Sequence, residues 1–309
     1  QGNIPQSDKF NPKLLWQSLN TYMNLAALAP KAADGVPAII VMPETVLPVF
    51  QDQVPAEVWQ QWIAVARLRN ASLVMGVPLH AGAGDENRYT NSAIVVTPDS
   101  SVRDIMAGTL AMHYDKHHLV PFGEFVPTGF RWFINELNIP LGDFNRGPER
   151  QRLFDLDGQR LAPDICYENA FGEEIIRSVR DSPLYGPGAT ILVNISNLGW
   201  FGNTWALRQS LEMSRMRALE TARPMLMATN TGITAAISPL GAIRDQLPPM
   251  SPGVLDVEVQ GYDGYTPYVR WGDTPVLAWT AILLLLGLVV LRRRATATRD
   301  APEDSTQDR

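Results

Sequence analysis

The chain has 309 residues, 45% apolar and 19% charged, enough to build a sizeable core and too apolar for disorder by default. Its net charge of −6 argues against nucleic acid as the main partner. One cysteine, Cys166, and four histidines exclude a disulfide framework and any multi-cysteine metal site. His113 and His117 are spaced i, i+4, but no glutamate follows the first as in a zinc protease, so neither a metal nor another cofactor is expected.

In chain order, the opening Gln1-Gly-Asn-Ile-Pro-Gln reads as the end of a strand entering a loop, with an upstream segment expected before it. An apolar run at 36–42 predicts a buried strand that stops at Pro43-Glu44-Thr45. Apolar residues Val58, Trp59, Trp62, Ile63 and Ala66 predict an amphipathic helix over 55–69. Strands are expected at 72–79, 92–97 and 110–114, the last leading into Lys116-His-His-Leu-Val-Pro-Phe-Gly-Glu124-Phe-Val-Pro. Residues 128–147 carry aromatics, Gly and Pro without a period, the pattern of a lid or binding arm.

A short apolar segment from Leu161 then ends at Cys166, where a helical pattern begins (Phe171, Ile175, Ile176, Val179). On such an elbow a side chain can project from the rim of a sheet, with helix amides nearby to lower a thiol pKa. A lone cysteine is also a common buried hydrophobe. Strands at 189–196, 224–229, 234–238 and 254–259 and a helix over 204–221 complete an α/β pattern.

The C-terminal part differs in kind. Residues 275–291 carry no charge and are followed at once by Arg292-Arg-Arg. With Trp271 and Trp279 flanking it, this predicts a transmembrane helix over 274–292 and a disordered cytoplasmic tail over 293–309. The arginine cluster then places a catalytic domain, residues 1–268, on the periplasmic side.

Glu44, Lys116 and Cys166 each stand at the end of a strand-like run, and in an open α/β sheet such ends gather at one rim. A carboxylate can take a thiol proton, a thiolate attacks carbonyl carbon, and an ammonium can stabilise an oxyanion. Taken singly, Glu44 is equally a solvated loop charge and Lys116 a surface cation.

Together they resemble the Glu-Lys-Cys signature of the nitrilase superfamily. Longer strings are similar to bacterial apolipoprotein N-acyltransferases: Gln1-Gly-Asn-Ile-Pro-Gln, His117-His-Leu-Val-Pro-Phe-Gly-Glu124-Phe-Val-Pro, Arg217-Ala-Leu-Glu-Thr-Ala-Arg-Pro, Thr229-Asn-Thr-Gly-Ile-Thr and Thr266-Pro-Tyr-Val-Arg-Trp-Gly-Asp. The resemblance implies an α-β-β-α sandwich, followed here by the single C-terminal span, and an upstream domain of several membrane helices. It implies ping-pong transfer of a fatty acyl chain from a phospholipid, typically phosphatidylethanolamine, through a Cys166 thioester to the α-amine of a diacylglyceryl-cysteine apolipoprotein. Glu44 would be the general base and Lys116 the oxyanion stabiliser, with Glu124, Tyr167 and Glu168 in support. A monomer in the bacterial inner membrane, without cofactor, is the expected form.

Two positions depart from that pattern: Phe10 stands where a Trp is expected and Leu198 where an Asp is more usual. Phe130, Trp132, Phe133 and Phe144, with Trp200 and Phe201, are candidates to face lipid. The competing readings are a nitrilase-type hydrolase that passes the acyl group to water and a non-catalytic membrane-anchored module.

Overall fold

The structure, a computed structural model, describes residues 1–9, 11, 13–31, 38–80, 88–127 and 144–299, the last six as backbone alone. In order the elements are α1 (Gln6–Lys9), α2 (Leu15–Leu28), β1 (Ala38–Val41), α3 (Ala56–Arg69), β2 (Ala71–His80), β3 (Tyr89–Val96), α4 (Val102–Met106), β4 (His113–Asp115), β5 (Phe154–Leu156) and β6 (Gln159–Ile165). They continue with α5 (Gly172–Val179), β7 (Ile191–Ser196), α6 (Trp205–Thr221), β8 (Met225–Thr229), β9 (Ala235–Ile237), β10 (Ile243–Gln246), α7 (Pro267–Trp271) and α8 (Thr274–Arg299).

The strands form two sheets, ordered β1-β2-β3-β4 and β10-β9-β8-β7-β6-β5. β1 runs parallel to β2, and β6, β7 and β8 run parallel to one another. Because strand side chains alternate faces, each central strand feeds two cores. Leu73, Met75 and Val77 of β2 pack with Leu19, Tyr22, Trp59 and Trp62 of α2 and α3. Val74 of β2 with Ala93 and Val95 of β3 instead meets Leu161, Ile165, Ile191, Val193 and Ile195 of the other sheet. On the far side Ala162, Leu192, Met225 and Met227 pack with Ile175 and Ile176 of α5 and Leu211 and Ala218 of α6. The layers are therefore α-β-β-α, as expected.

Helix α3 follows the predicted stripe, burying Val58, Trp59, Trp62, Ile63 and Ala66, and it stops at Asn70 in the left-handed region (φ 49°). Two expectations fail, and one strand lies where none was expected. The N-terminal segment is not a strand: Gln1 ties to the Gly253 carbonyl and α1 begins at Gln6. Residues 254–259 alternate in burial but pair with no strand, since alternation alone supplies no hydrogen-bonded neighbour. The last strand is β10, all four residues of which are exposed, so no apolar pattern marks it. The fourth expected strand, in the four-stranded sheet, shifts rather than fails, from 110–114 to His113–Asp115.

Helix α8 continues through Arg299, so residues 293–299, expected in a disordered tail, are helical. Its segment Thr274–Arg293 spans 20 residues, about 30 Å of axis. Val276, Leu277, Ile282, the leucines 283–286 and Leu288 to Leu291 are all exposed. Among the described residues nothing in the sandwich covers this apolar cylinder.

Candidate active site

The site gathers at one rim, where β1, β4, β6 and β7 end and β3 begins. β1 gives way to Met42, Pro43 and Glu44, β4 to Lys116, β6 to Cys166 and β7 to Asn197. The Glu44 loop is pressed onto β2. The Gly76 N–H donates to the Pro43 carbonyl at 3.1 Å and the Val46 N–H to the Gly76 carbonyl at 2.8 Å. A Cβ on Gly76 would lie 2.5 Å from the Thr45 nitrogen and 2.6 Å from the Glu44 Cα, so only glycine allows this approach. Thr45 itself takes a left-handed φ of 54° to turn the chain back.

The structure brings Glu44, Lys116 and Glu124 into one hydrogen-bonded cluster, exposed by only 6%, 1% and 9%. Lys116 Nζ lies 2.9 Å from Glu124 Oε1 and 3.5 Å from Glu44 Oε1. Asn91 Nδ2 donates to the same two oxygens at 2.7 Å each. The other carboxylate oxygens are held by backbone, Glu44 Oε2 by the Asn197 N–H at 2.9 Å and Glu124 Oε2 by the Val120 N–H at 2.8 Å. Burial pulls the Lys116 pKa down, but Glu44 and Glu124 together outweigh it and hold the ammonium above its usual range. A permanently charged, immobile ammonium suits a group that must meet developing negative charge.

Cys166 faces this cluster from the other sheet. Its φ is +55°, a strained conformation for a side chain larger than glycine's. The fold holds it there by following β6 with a tight 3-10 turn over Cys166–Ala170. Burial pushes the thiol pKa up and Glu44 adds to that, while Lys116 and a hydrogen bond from the Asn197 N–H pull it down. The upward shift corrects the expectation of a thiol acidified by a helix N-terminus. α5 starts only at Gly172, and desolvation outweighs what amide dipoles supply. The resting thiol therefore keeps its proton and needs a base, and Glu44 is close enough to act on its titration.

Glu168, exposed by only 2%, ties the elbow to the lysine loop. Its Oε1 accepts from the His117 N–H (2.7 Å), the His118 N–H (3.0 Å) and the Tyr114 hydroxyl (2.9 Å), and its Oε2 from the Ile165 N–H (2.7 Å). It binds both strand ends at once and is no exposed helix charge. Tyr167, 42% exposed, stands edge-on to His118 and Phe171, which stack at 3.6 Å. Trp200 and Phe201 lie in a 3-10 turn after β7, exposed by 68% and 51%. Leu198, the departure from the family pattern, is buried beside them.

Phe130, Trp132 and Phe133 lie outside the described residues, as does Phe10. Phe144 is buried at 9% exposure, so it packs inside rather than facing lipid. His113 and His117 are not on a helix; their Nδ1 atoms meet the Leu110 and Gly147 carbonyls. Sequence reasoning missed Asn91 and Asn197, and also Lys9, whose Nζ donates to the Glu44 carbonyl at 2.9 Å. For the asparagines the available signal was a polar residue at a strand terminus on the rim where Glu44, Lys116 and Cys166 fall.

A two-sheet sandwich with Glu, Lys and Cys on one rim defines a class, and the chain belongs to the carbon–nitrogen hydrolase family, whose profile matches residues 2–265. Within it, this chain is similar to the apolipoprotein N-acyltransferase of Bordetella bronchiseptica, 54% identical over 295 residues, which cover 95% of this chain and 54% of that protein. The Ralstonia nicotianae protein of the same name is 43% identical, covering 96% and 53%. The chain thus spans about half the length of the curated relatives it matches. Among solved structures, an amidase from Nesterenkonia superposes with a TM-score of 0.51 at 19% identity, over 77% of this chain and 82% of the amidase. A superfamily member from Xanthomonas campestris, with an arsenic adduct in its active site, gives 0.53 at 18%, over 75% and 80%. At such identities the likeness concerns the fold.

Proposed function

We propose that the chain carries the catalytic half of an apolipoprotein N-acyltransferase. The observation that carries this reading is a half-buried Cys166 on a strained elbow, faced by a carboxylate and a fixed ammonium, in a chain that also bears an uncovered apolar helix about 30 Å long. Membership in the family and the names of its relatives support it.

Glu44 takes the Cys166 proton as sulfur attacks the ester carbonyl of a phospholipid such as phosphatidylethanolamine. The carbonyl oxygen becomes an oxyanion that Lys116 stabilises. Its collapse breaks the carbon–oxygen bond, and Glu44 returns the proton to the departing lysophospholipid. In the second half the α-amine of a diacylglyceryl-cysteine attacks the thioester, Glu44 takes the amine proton, and it passes to the leaving thiolate. Glu124 and Asn91 hold Lys116 and Glu44, and Glu168 and Tyr167 shape the elbow.

The setting follows from the same reading. α8 spans a bacterial inner membrane with its arginines cytoplasmic and residues 1–268 periplasmic, as a monomer. Both substrates are bilayer-bound, so an anchored site gains effective concentration. Phe130, Trp132, Trp200 and Phe201 are the residues that meet lipid.

Mass spectrometry after mixing the detergent-solubilised protein with phospholipid tests the reaction. A fatty-acyl adduct on Cys166 that a diacylglyceryl-cysteine peptide discharges is expected, with none in Cys166→Ala. Prompt free fatty acid without an adduct would instead make the protein a hydrolase.

A further inference from the structure

Lys9 is one of the buried charged side chains that the transfer chemistry leaves unused. Lys9 ends α1, is 1% exposed, and makes one hydrogen bond among the described residues, to the Glu44 backbone carbonyl at 2.9 Å. Lysine is rarely buried to this degree without a purpose beyond packing. The titratable groups acting on it are Glu44, from the loop after β1, and Cys166, from the end of β6. Lys116 and Glu124 lie beyond Glu44, and Asp8 precedes it on its own turn.

The same short segment reaches Glu44 by a second path. Gln6 Oε1 accepts from Asn197 Nδ2 at 2.9 Å, and the Asn197 N–H donates to Glu44 Oε2. Asn197 is fixed in turn by Asn230, which also bonds the Ile4 backbone and the Tyr22 hydroxyl. One turn of helix therefore grips the candidate base by both its main chain and its carboxylate.

Charge counting gives this contact a role. Glu44 and Glu124 share Asn91 Nδ2 and the single ammonium of Lys116. Loss of the Cys166 proton places negative charge on sulfur, which a cation acting on that thiol favours. A second ammonium matches two cations to two carboxylates.

We infer that Lys9 is a positioning residue for the acyl-transfer site, holding the Glu44 loop and supplying a second positive charge that favours loss of the Cys166 proton. The inference rests on the proposed role of Cys166 and Glu44, but its effect on the thiol can be read without any lipid. Burial lowers the Lys9 pKa to about 7, against the pull of Glu44 and Cys166. Its charge is therefore present below about pH 7 and fades above it.

The experiment measures the rate of Cys166 alkylation by iodoacetamide from pH 6 to 9 in the wild type, Lys9→Met and Lys9→Arg. Lys9→Met should react about tenfold more slowly than the wild type below pH 7, the equivalent of one pKa unit, and converge with it above pH 8. Lys9→Arg, charged throughout, should match the wild type below pH 7 and exceed it above. Melting curves check folding; if Lys9→Met fails to fold, the Lys9→Arg profile decides. Equal rates and an unchanged pH profile in the variants would overturn the inference, since a purely structural lysine moves neither. If wild-type Cys166 alkylates with the expected profile but never takes an acyl group from phospholipid, the acyltransferase reading fails and the role of Lys9 stands.

Discussion

The proposed base and the proposed nucleophile reach the same rim by different means. The four-stranded sheet presents Glu44, Asn91 and Lys116 already bonded to one another, with Glu44 on a loop that Gly76 lets lie against β2. The six-stranded sheet presents Cys166 on an elbow whose positive φ is held by the buried carboxylate of Glu168. The first half is positioned by close backbone approach and the second by hydrogen bonds to one ionisable group. Steric and polar positioning should fail differently when disturbed, so substitutions can separate them.

Removing the chemistry itself gives the largest effect. Glu44→Gln keeps the shape of the side chain but takes no proton, and its amide meets a donor, Asn91 Nδ2 or the Asn197 N–H, where a carboxylate oxygen accepted. Acyl-enzyme formation should fall by about 10²–10⁴-fold, the worth of a general base, beside a stability loss of about 1–3 kcal/mol for the donor left unpaired. Retention of wild-type rates would remove Glu44 from the mechanism.

Next comes the steric half. Gly76→Ala puts a methyl group 2.5 Å from the Thr45 nitrogen, where backbone has to move. A shift of about 1 Å in a catalytic group costs on the order of 10²-fold in rate. The prediction is a loss of that size in kcat, alongside native-like circular dichroism. A fully active Gly76→Ala would show that the loop tolerates displacement and that the base is less tightly placed than the contact implies.

The polar half should give way more gently. Glu168→Gln leaves one acceptor for the His117, His118 and Tyr114 donors but sets an amide against the Ile165 N–H. An unpaired buried donor costs about 1–3 kcal/mol, read as a lower urea midpoint, and acylation should slow about tenfold as the elbow loosens. The pH dependence has a definite sign. Burial raises the Glu168 pKa despite its hydrogen bonds from His118 and Ile165, so the folded state holds this proton more tightly than the unfolded chain. Its contribution is therefore greatest at low pH and declines as pH rises from the ordinary carboxylate value through the raised one. The stability difference between wild type and Glu168→Gln should shrink over that interval. A difference flat in pH would mean the shift is absent.

How much of this was legible beforehand divides along the same line. The sandwich could be read because strands such as 72–79 and 189–196 alternate or run apolar, and α3 shows a clear stripe. Glu44, Lys116 and Cys166 could be placed at one rim because each ends a strand-like run. The strained φ of Cys166 and the sign of its pKa shift could not be read, since both depend on what packs around the elbow. Asn91, Asn197 and Lys9 act through contacts spanning 35 to 153 residues of sequence. No local pattern encodes such distances. β10 escaped because exposed polar residues leave no periodic trace, and α2 because its buried Leu19, Tyr22 and Ala26 form a sparse stripe.

The smallest effect concerns the aromatic rim beside the elbow. Trp200, Phe201 and Trp205 are exposed by 68%, 51% and 74%, and the Arg208 guanidinium lies 5.2 Å from the Trp205 ring. Aromatic rings beside a cation fit the headgroup level of a bilayer. α8 would dominate attachment, so losing these rings, or Phe130 and Trp132, should weaken vesicle binding only slightly. Binding alone is a blunt measure here. Depth is sharper: in a protein whose only remaining tryptophan is Trp200, brominated acyl chains should quench its emission if the ring enters the interface. Phe130→Ser with Trp132→Ser should then lower kcat/KM for vesicle-borne phospholipid about two- to threefold, leaving iodoacetamide reactivity of Cys166 unchanged, because a modest loss of interfacial contact affects substrate capture rather than the thiol. An unquenched Trp200 and an unaltered kcat/KM would assign these aromatics to packing, and membrane engagement would fall to α8 alone.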